Sequence, residues 1–338
     1  MVNLTLTELT PPWEIKRQLI VKAREETDQR YGCKPVDRPI QDFIKFGVIN
    51  LDKPSGPSSH EVTAWVKRLL NLSHAGHGGT LDPKVTGVLP IALEEATKVV
   101  QALQVSGKEY VCVMRLHGSA SEQKIKMVMD EFVGVIYQRP PIRASVKRRL
   151  RTRKIHFINL LEIKDKNVLF QVGCEAGTYI RKLCFDIGET LGVSAHMQEL
   201  RRTRAGPFTE NQGIATLHDI AYLHSIWQET KDENALHKFV QPMEKVLDLL
   251  PKIIIRDSAV DAICHGANLA SPGVLALESN IKPNDTIAVM TQKSEGVALA
   301  KALTSTEDMI KMDHGLIAKT TRVLMPRGVY PKTWRRNR

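Results

Sequence analysis

His77-Gly78-Gly79-Thr80-Leu81-Asp82-Pro83, running on into Thr86-Gly87-Val88-Leu89-Pro90, sets one carboxylate inside glycine-rich backbone stiffened by proline. Gly78 and Gly79 open backbone angles closed to other residues, and Pro83 steers Asp82 away from helix. The spacing predicts a shaped loop able to approach a substrate closely, and such loops commonly carry chemistry. An Asp-Pro pair taken alone equally suits a plain turn whose carboxylate satisfies its own backbone. The choice between the two rests on the sequence to either side.

Upstream, the apolar run Phe46 to Leu51 reads as a strand feeding the Lys53-Pro54 turn, and Val62, Trp65, Val66, Leu69 and Leu70 recur at helical spacing. Downstream, the pattern predicts a helix over Ala96 to Leu103 and a strand over Tyr110 to Leu116. A helix capped by Ser119 and Glu122 and ending near Gly134 follows. Strands at His156 to Ile163 and Val168 to Cys174 then precede a helix from Tyr179 to Leu191, stopped by Gly192. Long strands separated by single helices predict an α+β domain around a mixed or antiparallel sheet.

Residues 1–42 are polar and punctuated by Pro11, Pro12, Pro35 and Pro39, with one helical stretch over Trp13 to Glu26, so they read as an extension. The charged stretch Trp227 to Asn234 and the short helix between Pro242 and Pro251 mark a boundary. Beyond it, strand patterns at Lys252 to Arg256, Thr286 to Met290, Gly296 to Leu303 and Gly315 to Val323 predict a small β-rich module. The expected division is therefore an extension over 1–42, a larger domain over 43–248 and the β-rich module over 249–338.

The 338 residues are long enough for two cores. Forty-eight lysines and arginines against 37 acidic residues leave a formal charge of +11, which favours a polyanionic partner through phosphate neutralisation. Six cations crowd the eight residues from Lys147 to Lys154, and Arg335, Arg336 and Arg338 close the chain. Arg148, Arg149 and Arg151 are the expected RNA-phosphate contacts, although such a run also suits a solvated face. The five cysteines lack the spacing of a zinc site or a disulfide framework, so no metal is expected. No apolar run is long enough to span a bilayer and no secretory leader is visible, which points to the cytoplasm.

Five ordered motifs turn the Asp82 loop from a turn into a site: Lys53-Pro54-Ser55-Gly56, the loop itself, Gly107-Lys108-Glu109-Tyr110, Gly177-Thr178-Tyr179-Ile180-Arg181, and Leu200-Arg201-Arg202-Thr203-Arg204-Ala205-Gly206-Pro207-Phe208. In this order they resemble the TruB-type pseudouridine synthases, and more closely the dyskerin-like catalytic subunits of archaeal and eukaryotic box H/ACA ribonucleoproteins. His265-Gly266-Ala267-Asn268-Leu269-Ala270 resembles the opening of a PUA domain, an RNA-binding fold. The resemblance implies an isomerase without cofactor that converts uridine to pseudouridine in RNA, chosen by a guide RNA alongside small accessory proteins. A standalone enzyme acting on the tRNA T-loop and a catalytically silent RNA-binding scaffold are the two rivals.

The resemblance also assigns roles. Asp82 is the catalytic carboxylate, held ionised by Arg181 in a pocket that excludes water, and Tyr110 lies against the target base as a candidate for moving a proton. His77, Tyr179 and Leu200 position the substrate, and Lys53 supports the loop from the side. The extension is expected to wrap onto the PUA-like module. Gly78 stands where the family usually has serine, a change expected to add loop freedom.

Overall fold

The computed structural model describes residues 9–140, 147 and 149–332. Arg148, the segment 141–146 and the terminal arginines Arg335, Arg336 and Arg338 lie outside the described residues, as do residues 1–8.

Among the described residues, an 11-stranded sheet carries the motifs. Its main path runs Ile214–Ala215, Gly47–Lys53, Thr86–Leu93, Ala195–Ala205, Lys108–Leu116, Asn167–Cys174, Arg151–Lys164 and Gly134–Gln138. Most neighbours are antiparallel, but Thr86–Leu93 meets Ala195–Ala205 in parallel, with Gly87 opposite Arg202. On one face of this sheet, Cys112, Met114, Phe170 and Val172 pack against Leu183, Cys184, Ile187 and Leu191 of the helix Ile180–Leu191. That helix repeats its apolar residues every three or four positions and ends at Gly192, whose φ of 76° suits glycine.

A second, 7-stranded sheet holds the carboxyl-terminal strands and one strand from the extension. Leu19–Val21 pairs antiparallel with Val274–Glu278, and Lys22 Nζ donates to Ser271 Oγ and to the carbonyls of Met309 and Met312. Lys293 Nζ reaches the other way, to the carbonyls of Asp28, Tyr31 and Gly32. The two sheets share one core, in which Phe46, Val88, Ala92 and Leu247 meet Ala288, Met290, Leu299 and Leu324. A buried ion pair, Arg38 with Glu244, stands at this junction, and Glu244 also accepts from the Gly296 amide.

Several local expectations differ from the structure. Trp13 to Glu26 is not a helix: a short 3-10 turn at Pro12–Glu14 leads to the strand Leu19–Val21, because branched apolar residues there complete a sheet edge. Trp13 lies on the larger domain, edge-on to His156 and under the Arg204 guanidinium. The helix Glu122–Glu131 is capped by Ser121, which accepts from the Lys124 amide, so the Ser119 box does not form. Trp227 belongs to the helix Leu217–Thr230, which starts at a Thr216–Asp219 capping box.

Candidate active site

The Asp82 loop is fixed from beneath by side chains that bond its backbone. Ser59 Oγ, buried at the start of the helix Ser59–Leu69, accepts from the Leu81 amide at 2.8 Å and donates to the Leu81 carbonyl at 3.1 Å. Lys53 Nζ, fully buried, donates to the carbonyls of Pro54, Pro83 and Val85 at 2.8 to 2.9 Å. Arg202 Nη2 donates to the Gly79 carbonyl at 3.1 Å, and the Gly78 amide to the Pro90 carbonyl. Each of the four residues from Gly78 to Leu81 except Thr80 thus has a backbone partner outside the loop, so the carboxylate at position 82 starts from a set backbone.

Two glycines here are dictated by geometry. Gly79 has φ 130°, which disfavours any side chain. At Gly78 a Cβ would fall 2.8 Å from Leu103, so close packing requires glycine in this chain, rather than looseness of the loop.

Arg181 comes from the first turn of the helix Ile180–Leu191 and makes an ion pair and hydrogen bond with Asp82. The entry of that helix is fixed by Gln138, buried at the end of its strand: its Oε1 accepts from the Tyr179 amide and its Nε2 donates to the Tyr179 carbonyl. Both Asp82 and Arg181 side chains are 56% exposed. The expected water-excluding pocket is therefore absent around the pair in the protein alone. The side chains that hold the loop come from the strands Gly47–Lys53 and Ala195–Ala205 and from the start of the helix Ser59–Leu69.

Tyr110 sits opposite Arg202 in the antiparallel ladder, next to a register shift between Glu109 and Tyr110. Burial pushes its phenol pKa up, and the Arg202 charge opposes the rise. Leu200 is two residues along the same face and packs, like Tyr110, against two of the core clusters. His77 ends the strand Ala75–His77, half-buried and edge-on to His60, with its Nδ1 buried and without a hydrogen-bond partner. Burial, helped by His60 and Arg202, holds its pKa down at about 4, so the ring is neutral at physiological pH.

The structure pairs Asp82 with Arg181, with Lys53 bonded to the loop from beneath and Tyr179 at the entry of the Arg181 helix, while Tyr110 and Leu200 lie on the paired strands Lys108–Leu116 and Ala195–Ala205. Arg149 and Arg151 lie apart: Arg149 is exposed and Arg151 begins a strand, its guanidinium on the Lys147 carbonyl. Sequence reasoning passed over Arg153, whose guanidinium lies against Gly177, 3.1 Å from where a Cβ there would be. It also passed over Ser59, Gln138, Lys108 and Arg202. Lys108 is 5% exposed, its Nζ shared among the carbonyls of Leu103, Gln104 and Ser106, and burial lowers its pKa to about 7. The available signal was a charged residue inside each strand at a core-facing position, Lys108 next to Glu109-Tyr110 and Arg202 in alternation with Leu200.

The fold, with one carboxylate paired to arginine beside a tyrosine, defines a nucleobase-modifying isomerase of the pseudouridine synthase class. The chain belongs to the TruB family of pseudouridine synthases. Residues 67–124 and 117–180 match the TruB family pseudouridylate synthase (N terminal domain), and 181–248 match the tRNA pseudouridylate synthase B C-terminal domain. Residues 251–324 match the PUA domain and 10–63 the DKCLD (NUC011) domain. The chain is 57% identical over 323 residues to "Probable tRNA pseudouridine synthase B" of Methanopyrus kandleri, covering 96% of this chain and 95% of that one. Among solved structures it is similar to the chain in "Crystal Structure of a Cbf5-Nop10-Gar1 Complex", with TM-score 0.93 and 55% identity over 96% of this chain and 98% of that one. A chain in "Structure of H/ACA RNP bound to a substrate RNA containing 2'-deoxyuridine" gives TM-score 0.91 and 53% identity, covering 96% of this chain and 100% of that one.

Proposed function

We propose that this pseudouridine synthase works inside a box H/ACA particle, where a guide RNA pairs with the target and selects the uridine, and that Asp82 performs the chemistry. The reaction breaks the C1′–N1 bond, turns the freed uracil and joins its C5 to C1′; the proton lost from C5 is balanced by one gained at N1. Asp82 meets the electron deficiency that develops at C1′ on C1′–N1 cleavage, by charge or by attack. Arg181 pairs with the carboxylate and orients it toward the nucleotide. Tyr110 stacks on the turned base and takes part in the proton transfer from C5.

His77, Tyr179 and Leu200 hold the flipped nucleotide; the neutral His77 ring suits stacking and hydrogen bonding without charge. Arg149 and Arg151 steer RNA phosphates. The extension and the PUA domain act as one RNA-binding body in the cytoplasm. The observation that carries the chemistry is the Asp82–Arg181 pair on the glycine-rich loop. Guidance is supported by the whole-length similarity to a chain from a substrate-bound H/ACA particle.

The names of the curated relatives favour a second reading, action on tRNA without a guide. Incubating the purified chain with tRNA and with guide-paired RNA, with and without partner proteins, separates the two. Pseudouridine only in guide-containing mixtures supports guidance; equal product on tRNA alone overturns it.

A further inference from the structure

We propose that Trp13, in the extension, is a positioning residue for the isomerisation: from the far face of the sheet its ring holds the strand bulge that fixes where Tyr110 stands. The proposal rests on the assignment of Tyr110 to the chemistry and gives the extension a part in it.

In the ladder between Lys108–Leu116 and Ala195–Ala205, Glu109 lies opposite Arg204 and Tyr110 opposite Arg202, so Thr203 is an extra residue without a partner. A bulge of this kind re-aims the side chains around it. Residues directly opposite share a face and neighbours alternate, so Arg202 goes with Tyr110 and Arg204 with Glu109, on opposite sides of the sheet. Arg202 reaches the Gly79 carbonyl of the Asp82 loop, whereas the Arg204 guanidinium lies over the Trp13 ring, 5.1 Å from its centroid. Thr203 Oγ1 donates to Glu109 Oε1 at 2.7 Å, a bond across the bulge itself.

Three contacts seat the ring. A Cβ on Gly107 would fall 2.7 Å from it, so glycine at that position leaves the notch that the indole fills. Arg204 Nε is buried without a hydrogen-bond partner, and the ring face is what receives this cation. His156 stands edge-on with ring centroids 6.1 Å apart, and its Nδ1 donates to the Leu9 carbonyl at 3.1 Å, tying down the segment that leads to Trp13. The ring therefore bears on both strands of the bulge, on Gly107 three residues before Tyr110 and on Arg204 two residues after Arg202. Six residues beyond Trp13 the extension is already paired into the second sheet at Leu19–Val21, so the indole is tethered at its notch and loses little further freedom there. Removing the ring empties the notch and releases Arg204, and the bulge no longer has a fixed wall on that face.

The test uses the full-length chain in its active assembly and measures single-turnover pseudouridine formation at saturating RNA, with RNA affinity alongside. Trp13→Ala is expected to slow the chemical step about ten-fold while the dissociation constant for RNA stays within about two-fold, as a displaced reacting group does. Trp13→Phe keeps a ring for the notch and for Arg204, and should recover most of the rate. Trp13→Ala combined with Tyr110→Phe should fall less than about two-fold below Tyr110→Phe, because the ring acts through that tyrosine. A general loosening of the fold would lower the rate whatever stood at position 110, and the losses would multiply. A wild-type rate in Trp13→Ala, or losses that multiply, overturns the proposal.

Gly107→Ala displaces the ring from the other side and takes the place of Trp13→Ala if that variant does not fold; the same loss is expected, and a wild-type rate overturns the proposal. Hydrogen exchange over residues 107–112 should quicken in either variant, and unchanged exchange overturns the hold on the bulge. Exchange needs no turnover: quickened exchange beside a wild-type rate in Tyr110→Phe sinks the assignment of Tyr110 rather than the hold of the ring.

Discussion

Lys53, Lys108 and Arg202 are cations the fold has taken out of water, whereas Arg149, Arg151 and Arg181 are cations it has left toward the solvent or the open site. The first group donates almost wholly to backbone carbonyls, and those carbonyls belong to the Asp82 loop or to the segment that leads to Tyr110. In the second group Arg149 is exposed, Arg151 donates to the Lys147 carbonyl, and Arg181 holds the Asp82 carboxylate. Cationic side chains thus stand in two settings, and burial separates them. Buried cations set backbone geometry because desolvation forces each donor to find an acceptor; exposed ones tune affinity, because water and salt screen them.

This contrast can be broken or sharpened by mutation. The largest effect is expected at the carboxylate between the two groups: Asp82→Ala should abolish pseudouridine formation in a product assay while RNA affinity in a filter-binding assay changes less than about two-fold. Residual turnover near the wild-type rate would remove Asp82 from the chemistry. Next, Lys53→Met keeps the volume but strands three carbonyls, so urea unfolding should show a loss of about 3 kcal/mol and activity should fall with it. A loss near zero would mean that water replaces the ammonium without harm.

From the exposed group, Arg149→Glu with Arg151→Glu should leave the melting temperature nearly unchanged. RNA binding should weaken about ten-fold, and the slope of log affinity against log salt should flatten. Unaltered binding would make that run a bystander.

The smallest effect concerns His77. Its folded pKa of about 4 lies below the unfolded value of 6.5, so the unfolded chain binds the proton first as pH falls. The fold keeps its full stability from this group above pH 6.5 and loses it progressively from there down to about 4. Accordingly, RNA affinity should show no His77 step between pH 6 and 8, and His77→Gln should reduce the acid sensitivity of melting. An NMR titration of the His77 ring centred near 6.5 would contradict both.

Much of the site was legible because its residues stand in short, ordered motifs whose types are chemically restricted. Asp82, Tyr110 and Arg181 are separated by 28 and 71 positions, yet the strand and helix patterns around them were strong enough to foresee their elements. The strand Leu19–Val21 was not legible, since a three-residue strand has no periodicity of its own and forms only because the Val274–Glu278 edge offers it partners. Nor was the strand Ala195–Ala205, whose Arg201, Arg202 and Arg204 interrupt the apolar alternation that marks a strand. Arg201 pairs with Asp52 and Glu210, Arg202 is engulfed, and Arg204 lies over Trp13.

The amino-acid order alone determined the α+β class, the β-rich carboxyl module and the shaped loop that carries Asp82, because alternation, helical spacing and loop-forming residues act over a few neighbouring positions. Only the folded chain decided that Asp82 and Arg181 meet in an open site, that Gly78 makes room for Leu103, and which cations are buried. Those outcomes depend on groups distant in sequence and on which of them loses its water, and local pattern carries no record of either.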